Sequence, residues 1–297
     1  MVGAASAVRT VGTLLEMIKF EHTVFALPFA FGGAVLGAQA AGLPGGLPSA
    51  RTAAWVLAAM VGARSAAMAF NRLVDLEYDA RNPRTARRAL PAGVVSRRSA
   101  WVLTIASGAL LVLAAGQLNA LCLALSPLAL AIVLGYSYTK RFTSWSHLVL
   151  GAAIGIAPSA AWIAVTGKLE RTPVLLSMAV MFWIGGFDII YALQDEGFDR
   201  REGLRSLPVL LGGARALWVS RAFHVAAVAA LVAAGLSARL GMLYHVGVGI
   251  VAVLMAYEQS IVSPHDLRRV NTAFFTVNGW VSVLWLAFLV ADRVRGA

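Results

Sequence analysis

The chain of 297 residues has a single cysteine, Cys122, five histidines and only 14 acidic side chains. One cysteine excludes an intrachain disulfide and any multi-cysteine metal site. His147, His224 and His245 show no ligand spacing to one another and read as structural. Charged residues make up 13% of the chain against 59% hydrophobic, and the mean hydropathy is +0.76. A soluble domain of this length has no core large enough to hide so much apolar material, so the surplus must face lipid. Residues 1–13 lack the basic, apolar and cleavage-site order of a signal peptide, and the first helix is expected to be retained.

What the chain does have is a succession of apolar stretches, each long enough to cross a hydrocarbon layer as a helix. They predict nine spans, at 20–41, 52–74, 99–117, 119–138, 147–166, 173–193, 214–236, 240–260 and 272–291. Turn signals separate them, among them Gly42-Leu43-Pro44-Gly45-Gly46, Asn82-Pro83, Thr166-Gly167 and Ser263-Pro264. With no long linker, 1–297 is expected to form a single domain. Loops after even-numbered spans carry about fourteen Lys and Arg and those after odd-numbered spans about four, which predicts a cytoplasmic amino terminus and an outside carboxyl terminus. The same bias accounts for the net charge of +11, so no nucleic-acid partner is implied. Trp55, Trp101, Trp162, Trp218 and Trp280 fit interfacial belts.

The acidic residues are few but concentrated. Asp75, Glu77, Asp79, Asp188, Asp195, Glu196, Asp199 and Glu202 fall in two short windows. Asn71, Asp75 and Asp79 are spaced by four, and Asp188, Tyr191, Asp195 and Asp199 by three, four and four, so each set is predicted to line one helical face. Sliding the chain by 120 residues places Leu73, Asp75, Tyr78, Asp79 and Arg81 on Leu193, Asp195, Phe198, Asp199 and Arg201, as a tandem duplication would. Carboxylates near a membrane cost roughly 2.5–3.5 kcal/mol each on insertion scales, so a stripe of them implies a hydrated cavity, a cation, or both. Oxygen-only ligands suit Mg²⁺, which commonly bridges carboxylates to substrate phosphates. Arg84, Arg87, Arg88, Lys140, Arg141, Arg200, Arg201 and Arg205 surround the acids. Such a mixture suits a metal-bridged phosphate better than a bare cation.

At this point the residues resemble a family. Asn71-Arg72-Leu73-Val74-Asp75-Leu76-Glu77-Tyr78-Asp79, then Arg84-Thr85 and Leu90-Pro91-Ala92-Gly93, is similar to the first Asp-rich motif of the UbiA superfamily of intramembrane prenyltransferases. Asp188-Ile189-Ile190-Tyr191-Ala192-Leu193-Gln194-Asp195, with Asp199, Ser206 and Leu207, resembles the second. Lys19-Phe20-Glu21-His22-Thr23, Pro28-Phe29, and Tyr136 through Lys140-Arg141 extend the resemblance over most of the chain. Arg72 stands where many members have Asp, and Ala89 where a Pro is common.

The resemblance implies an all-α polytopic protein, two related four-helix halves around a central cavity. It further implies two Mg²⁺ ions that grip an allylic polyprenyl diphosphate while its tail lies among the helices. Carried onto this chain, Asn71, Asp75, Asp79, Asp195 and Asp199 would hold the metals, and Arg88, Tyr136, Lys140 and Arg141 the diphosphate. Asp188 would orient a phenol or stabilise an allylic cation, and Tyr191 would either offer that cation its ring face or pack with its hydroxyl hydrogen-bonded. Lys19 and His22 stand near the cytoplasmic end of the first helix, where they would receive an acceptor carboxylate or serve as an interfacial anchor. Two acceptors fit the motif wording, 4-hydroxybenzoate for ubiquinone and 1,4-dihydroxy-6-naphthoate for menaquinone, with a lean to the second. The same motifs make haem farnesylation and chlorophyll synthesis weaker matches. A reading of another class, an ion-coupled transporter with the carboxylates as cation sites, wants charges at the bilayer midplane in broken helices. Here they are predicted at cytoplasmic helix ends beside dense arginine.

Overall fold

A computed structural model describes Gly12 and residues 23–295. The described residues are helical, and their only β pairing is the isolated bridge between Ser263 and Asp266. In chain order the helices are α1 (Thr23–Ala40), α2 (Ala50–Val74), α3 (Leu76–Arg81), α4 (Arg97–Leu118), α5 (Ala120–Gly135) and α6 (Ser146–Thr166). They continue with α7 (Arg171–Ala192), α8 (Glu196–Arg201), α9 (Leu207–Leu211), α10 (Gly213–Ser237), α11 (Met242–Ser260) and α12 (Asn278–Arg295), the last entered through a π-helical turn at Thr272–Val277. Among the described residues, eight segments are long and apolar enough to cross a membrane, and a shorter apolar helix, Ala26–Ala40, lies in α1. The predicted spans from 52–74 onward coincide with the helices to within a few residues, and the first, 20–41, begins outside the described residues and continues as α1. Lys19 and His22 lie outside the described residues.

In lipid, a backbone polar group left unpaired has no water to turn to, so helix ends need partners. Ser49 accepts the Thr52 N–H at 3.1 Å to open α2, and Ser96 accepts that of Ser99 at 3.0 Å to open α4. Asn119 does this for α5 through the Cys122 N–H, 2.9 Å, and its amide also donates to the Ile163 carbonyl, 2.8 Å, pinning the start of α5 to the end of α6. Helix α6 is central. It packs on α1, α5 and α7, and α7 packs in turn on α10.

Small residues permit these approaches. A Cβ on Gly151 would run into the carbonyl oxygen of Met181 on α7, and one on Gly155 would lie 2.7 Å from that of Ser177. Backbone oxygens cannot swing aside. Gly151→Ala is therefore expected to destabilise the protein by about 1–3 kcal/mol, read as a lower melting temperature in detergent. An unchanged melting temperature would show that α6 and α7 can separate freely.

Neither acidic stripe is one continuous helical face. Helix α2 stops at Val74, Asp75 takes a non-helical conformation with φ −92° and ψ 4°, and α3 begins at Leu76. In the second copy α7 stops at Ala192, Leu193–Asp195 form a 3-10 turn, and α8 begins at Glu196. The strict spacing of four thus ends where each helix breaks. The breaks fall at matching places under the 120-residue shift, since Leu76–Arg81 maps onto Glu196–Arg201.

Candidate functional site

The breaks in α2 and α7 turn both acidic windows toward the mouth of a cavity of about 800 Å³. Deep in the bundle its walls are mostly apolar, with Met60, Leu111, Leu125, Ile154, Met178 and Ile184 among them and Arg64 as the charged exception. At the mouth stand Asn71, Asp75, Asp79, Asp188, Asp195 and Asp199, together with Arg84, Arg88, Tyr136, Lys140, Arg141 and Tyr191. Every site residue expected from the sequence, apart from Lys19 and His22, therefore borders one space. It is a space with an apolar body and a charged rim.

Electrostatics at the rim follow a rule of pairing. A carboxylate withdrawn from water needs a counter-charge or several hydrogen bonds. Asp79, 7% exposed, accepts from Arg88 Nη1 at 2.8 and 2.9 Å, and Arg72 approaches it to 3.7 Å. Asp195, also 7% exposed, accepts from Arg84 Nε at 2.9 Å and from Asn82 Nδ2 at 3.1 Å. Asp199 accepts from Lys140 Nζ at 2.9 Å. Among the described residues Asp75 has only the Asn71 amide, 2.8 Å, and burial, aided by the nearby Asp79 charge, pushes its carboxyl up to about 6. Among the described residues, no three His, Cys, Asp or Glu side chains converge as a ready-made metal cage. Asp79, Asp195 and Asp199 stand apart because each is drawn to its own base.

The bases are held from behind. The Arg205 N–H donates to the Lys140 carbonyl, 2.7 Å, and Arg205 Nη1 to that of Phe142, 2.8 Å, fixing the Tyr136–Arg141 3-10 turn against the loop after α8. Arg141 donates to the Val74 carbonyl, 2.7 Å, and lies over the rings of Tyr78 and Tyr138. It caps the carbonyl end of α2 and still borders the cavity. Tyr191 accepts from Arg84 Nη1 through its hydroxyl, 2.9 Å, and packs its ring on Phe274 at 4.4 Å.

Four residues emerge that the sequence alone did not place. Arg84 ties Asp195 to Tyr191, and Asn82 shares Asp195 with it. The Asn82-Pro83 pair reads as a turn, and nothing in it signals a bond to a residue 113 positions away. His147, expected to be structural, lies against Asp188 with Nδ1 2.7 Å from Oδ2. Sequence spacing relates residues of one helix, and the acidic partner of His147 stands on the adjacent one. Arg64 lies on α2 two turns deeper than Asn71, borders the cavity, and has a buried Nε with no hydrogen-bond partner among the described residues.

Comparison with known proteins agrees with this architecture. The sequence profile of the UbiA prenyltransferase family matches residues 26–286. The chain is 32% identical over 235 residues to the 4-hydroxybenzoate octaprenyltransferase of Nitrosospira multiformis, covering 79% of this chain and 80% of that one. It is also 32% identical over 250 residues to the enzyme of the same name from Pseudomonas fluorescens, 83% of each chain. Among solved structures it resembles the apo UbiA homolog from Aeropyrum pernix, at 38% identity and TM-score 0.82 over 92% of this chain and 98% of that one. It shares its fold with the UbiA homolog from Archaeoglobus fulgidus bound to GPP and Mg²⁺, at 21% identity and TM-score 0.70 over 95% and 99%. The chain belongs to the UbiA prenyltransferase family and is a multi-pass membrane prenyltransferase.

Proposed function

We propose that this protein transfers a polyprenyl group from its allylic diphosphate to a ring carbon of an aromatic hydroxy acid, in quinone biosynthesis at the inner membrane. The observation that carries the reading is the shape of the charge: acids interleaved with Arg84, Arg88 and Lys140 close one end of a long apolar cavity. A molecule with a charged head and an isoprenoid tail matches both ends. The amino terminus and this mouth face the cytoplasm in our reading, as the distribution of Lys and Arg favours, and the whole chain works as one domain.

The donor set fits a hard divalent cation. Asn71, Asp75, Asp79, Asp195 and Asp199 offer only oxygen donors, and Asp75, with a single amide partner, has acceptor capacity to spare. These five residues would hold Mg²⁺, two ions by analogy with the paired motifs. The relative from Archaeoglobus fulgidus, solved with GPP and Mg²⁺, supports that choice. Bound Mg²⁺ supplies neutralisation of the negative charge that grows on the departing diphosphate. Arg88, Lys140, Tyr136 and Arg141 are the chain's own donors for the same anion, and Arg84 joins them when it leaves Asp195. Tyr191 would offer its ring face to an allylic cation once Arg84, which lies 5.1 Å over that ring, moves away. The depth of the cavity excludes water that would otherwise capture the allylic cation.

The Asp75 carboxyl must lose its proton to bind a metal, and its folded value is raised to about 6. Mg²⁺ affinity is therefore expected to be flat above pH 6 and to fall about tenfold per unit below it. The metal-free protein moves the other way, since a raised carboxyl pKa contributes stability at low pH that is lost as pH rises through about 6. Titrating Mg²⁺ by calorimetry at pH 5, 6 and 7.5 checks this. Affinity independent of pH would remove Asp75 from the ligand set.

The relatives named 4-hydroxybenzoate octaprenyltransferase favour 4-hydroxybenzoate as acceptor. The decisive experiment incubates purified protein with Mg²⁺, an allylic polyprenyl diphosphate and either 4-hydroxybenzoate or 1,4-dihydroxy-6-naphthoate, with products identified by mass. A prenylated hydroxybenzoate is the expected result. An adduct of the naphthoate alone would reassign the acceptor, and substrate uptake into vesicles without chemical change would refute transfer.

A further inference from the structure

His147 is fully buried at the start of α6, and the functions assigned so far leave it unused. Its two ring nitrogens have different partners. Nε2 faces the backbone N–H of Leu207 at 3.3 Å, the first residue of α9, while Nδ1 lies 2.7 Å from Asp188 Oδ2 on α7. A backbone N–H can only donate, so Nε2 must present its lone pair, and the single ring proton must sit on Nδ1. The tautomer is thus fixed by the fold, and Nδ1–H donates to Asp188. Protonating Nε2 as well would set one N–H against another inside the bundle. Both ring nitrogens are thereby committed to fixed partners, and neither is free to relay a proton.

Asp188 has the opposite character. It borders the cavity, and no lysine or arginine forms an ion pair with it among the described residues, unlike Asp79, Asp195 and Asp199. The hydrogen bond from His147 fixes one carboxylate oxygen and leaves acceptor capacity to spare toward the cavity.

Building on the reading of the protein as an aromatic prenyltransferase, we infer that His147 is a positioning residue that holds Asp188 as the base for the acceptor ring. When the ring carbon has formed its bond to the prenyl carbon, and the C–O bond to diphosphate has broken with its electron pair leaving on oxygen, that ring carbon still carries its hydrogen. The C–H bond breaks, its electrons restore the aromatic ring, and the proton passes to Asp188. It is released to water at the mouth when product leaves. His147 transfers nothing. Through Leu207, which follows the Ser206 cap of α9, it also ties the orientation of the base to the loop after α8, the loop whose Arg205 anchors Lys140.

Two substitutions separate positioning from packing. His147→Asn keeps an amide N–H near the place of Nδ1, whereas His147→Phe keeps the ring's bulk and neither polar atom. Positioning predicts that kcat falls about 10–100-fold in His147→Phe and only a few-fold in His147→Asn, with KM for the prenyl diphosphate unchanged in both. Packing predicts the reverse order, and that order would overturn the inference. Asp188→Asn guards against a misfolded His147 variant, because the Nδ1–H bond survives to the amide oxygen while the base is gone. It should bind prenyl diphosphate with Mg²⁺ as the parent does in calorimetry and lose turnover. A kcat within twofold of the parent would overturn the inference. Absence of any adduct with the parent protein would instead reject the prenyl-transfer reading beneath it.

Discussion

Asp195→Ala is expected to lower the rate of prenyl transfer by about 10²–10³-fold or more while leaving a folded, monodisperse protein in detergent. The carboxylate has two jobs to lose. It is one of the oxygen donors at the mouth, and it holds Arg84 and Asn82 in place through three hydrogen bonds. A partly exposed pair contributes little to stability when intact, and Arg84, its guanidinium reaching Tyr191 and the open mouth, is not stranded in a dry interior when its partner goes. The loss should therefore appear in catalysis and not in folding. Asp195→Ala combined with Arg84→Ala tells the two jobs apart. If Asp195 served only to restrain Arg84, the double variant would be as active as Arg84→Ala alone. If Asp195 holds metal, the double variant stays at the level of Asp195→Ala, because nothing in it replaces the missing donor. Product mass per unit time reads the rates, and Mg²⁺ titration in the presence of prenyl diphosphate should show weaker metal binding in both variants. Parent-like activity in Asp195→Ala would remove the second acidic window from the site.

The membrane architecture was written in composition, because a spanning helix must hide its backbone in apolar side chains over some twenty residues, and that requirement leaves a long signal. The two acidic windows were legible for the complementary reason, since a carboxylate near lipid is costly enough to be rare. Their local geometry was not. A spacing of four reads as one helical face only while the helix continues, and the breaks at Asp75 and at Leu193–Asp195 carry no Pro or Gly to announce them. The breaks matter because they turn Asp79 and Asp199 inward, where the bases of other segments reach them. Pairings of that kind, Arg84 with Asp195 or His147 with Asp188, join residues far apart in sequence and follow from helix packing alone. Arg64 was passed over for a related reason. One arginine in a long apolar span looks like an insertion cost to be tolerated, and only the cavity shows what it faces.

That arginine carries the second large prediction. Seven residues separate Arg64 from Asn71, about 10 Å along the helix, and the two share a face because seven residues make almost two turns. A guanidinium this far inside a bundle is costly unless an anion answers it. Its Nε has no partner, and no carboxylate forms an ion pair with it among the described residues. An aromatic hydroxy acid supplies such an anion at one end and an electron-rich ring carbon at the other. With its carboxylate on Arg64, its ring would lie between that point and the acids of the mouth, where Asp188 and Tyr191 also border the cavity. A charge-assisted hydrogen bond contributes about 1.5–3 kcal/mol, so Arg64→Ala is expected to raise KM for 4-hydroxybenzoate about 10–100-fold, with KM for the prenyl diphosphate little changed. Arg64→Lys keeps the charge but not the planar fork and should fall between the two. An acceptor analogue with an amide in place of the carboxylate should lose affinity for the parent and show almost no further loss with Arg64→Ala, because the interaction has already been removed. Equal losses for acid and amide on Arg64→Ala would mean that the arginine shapes the cavity and does not bind the acid.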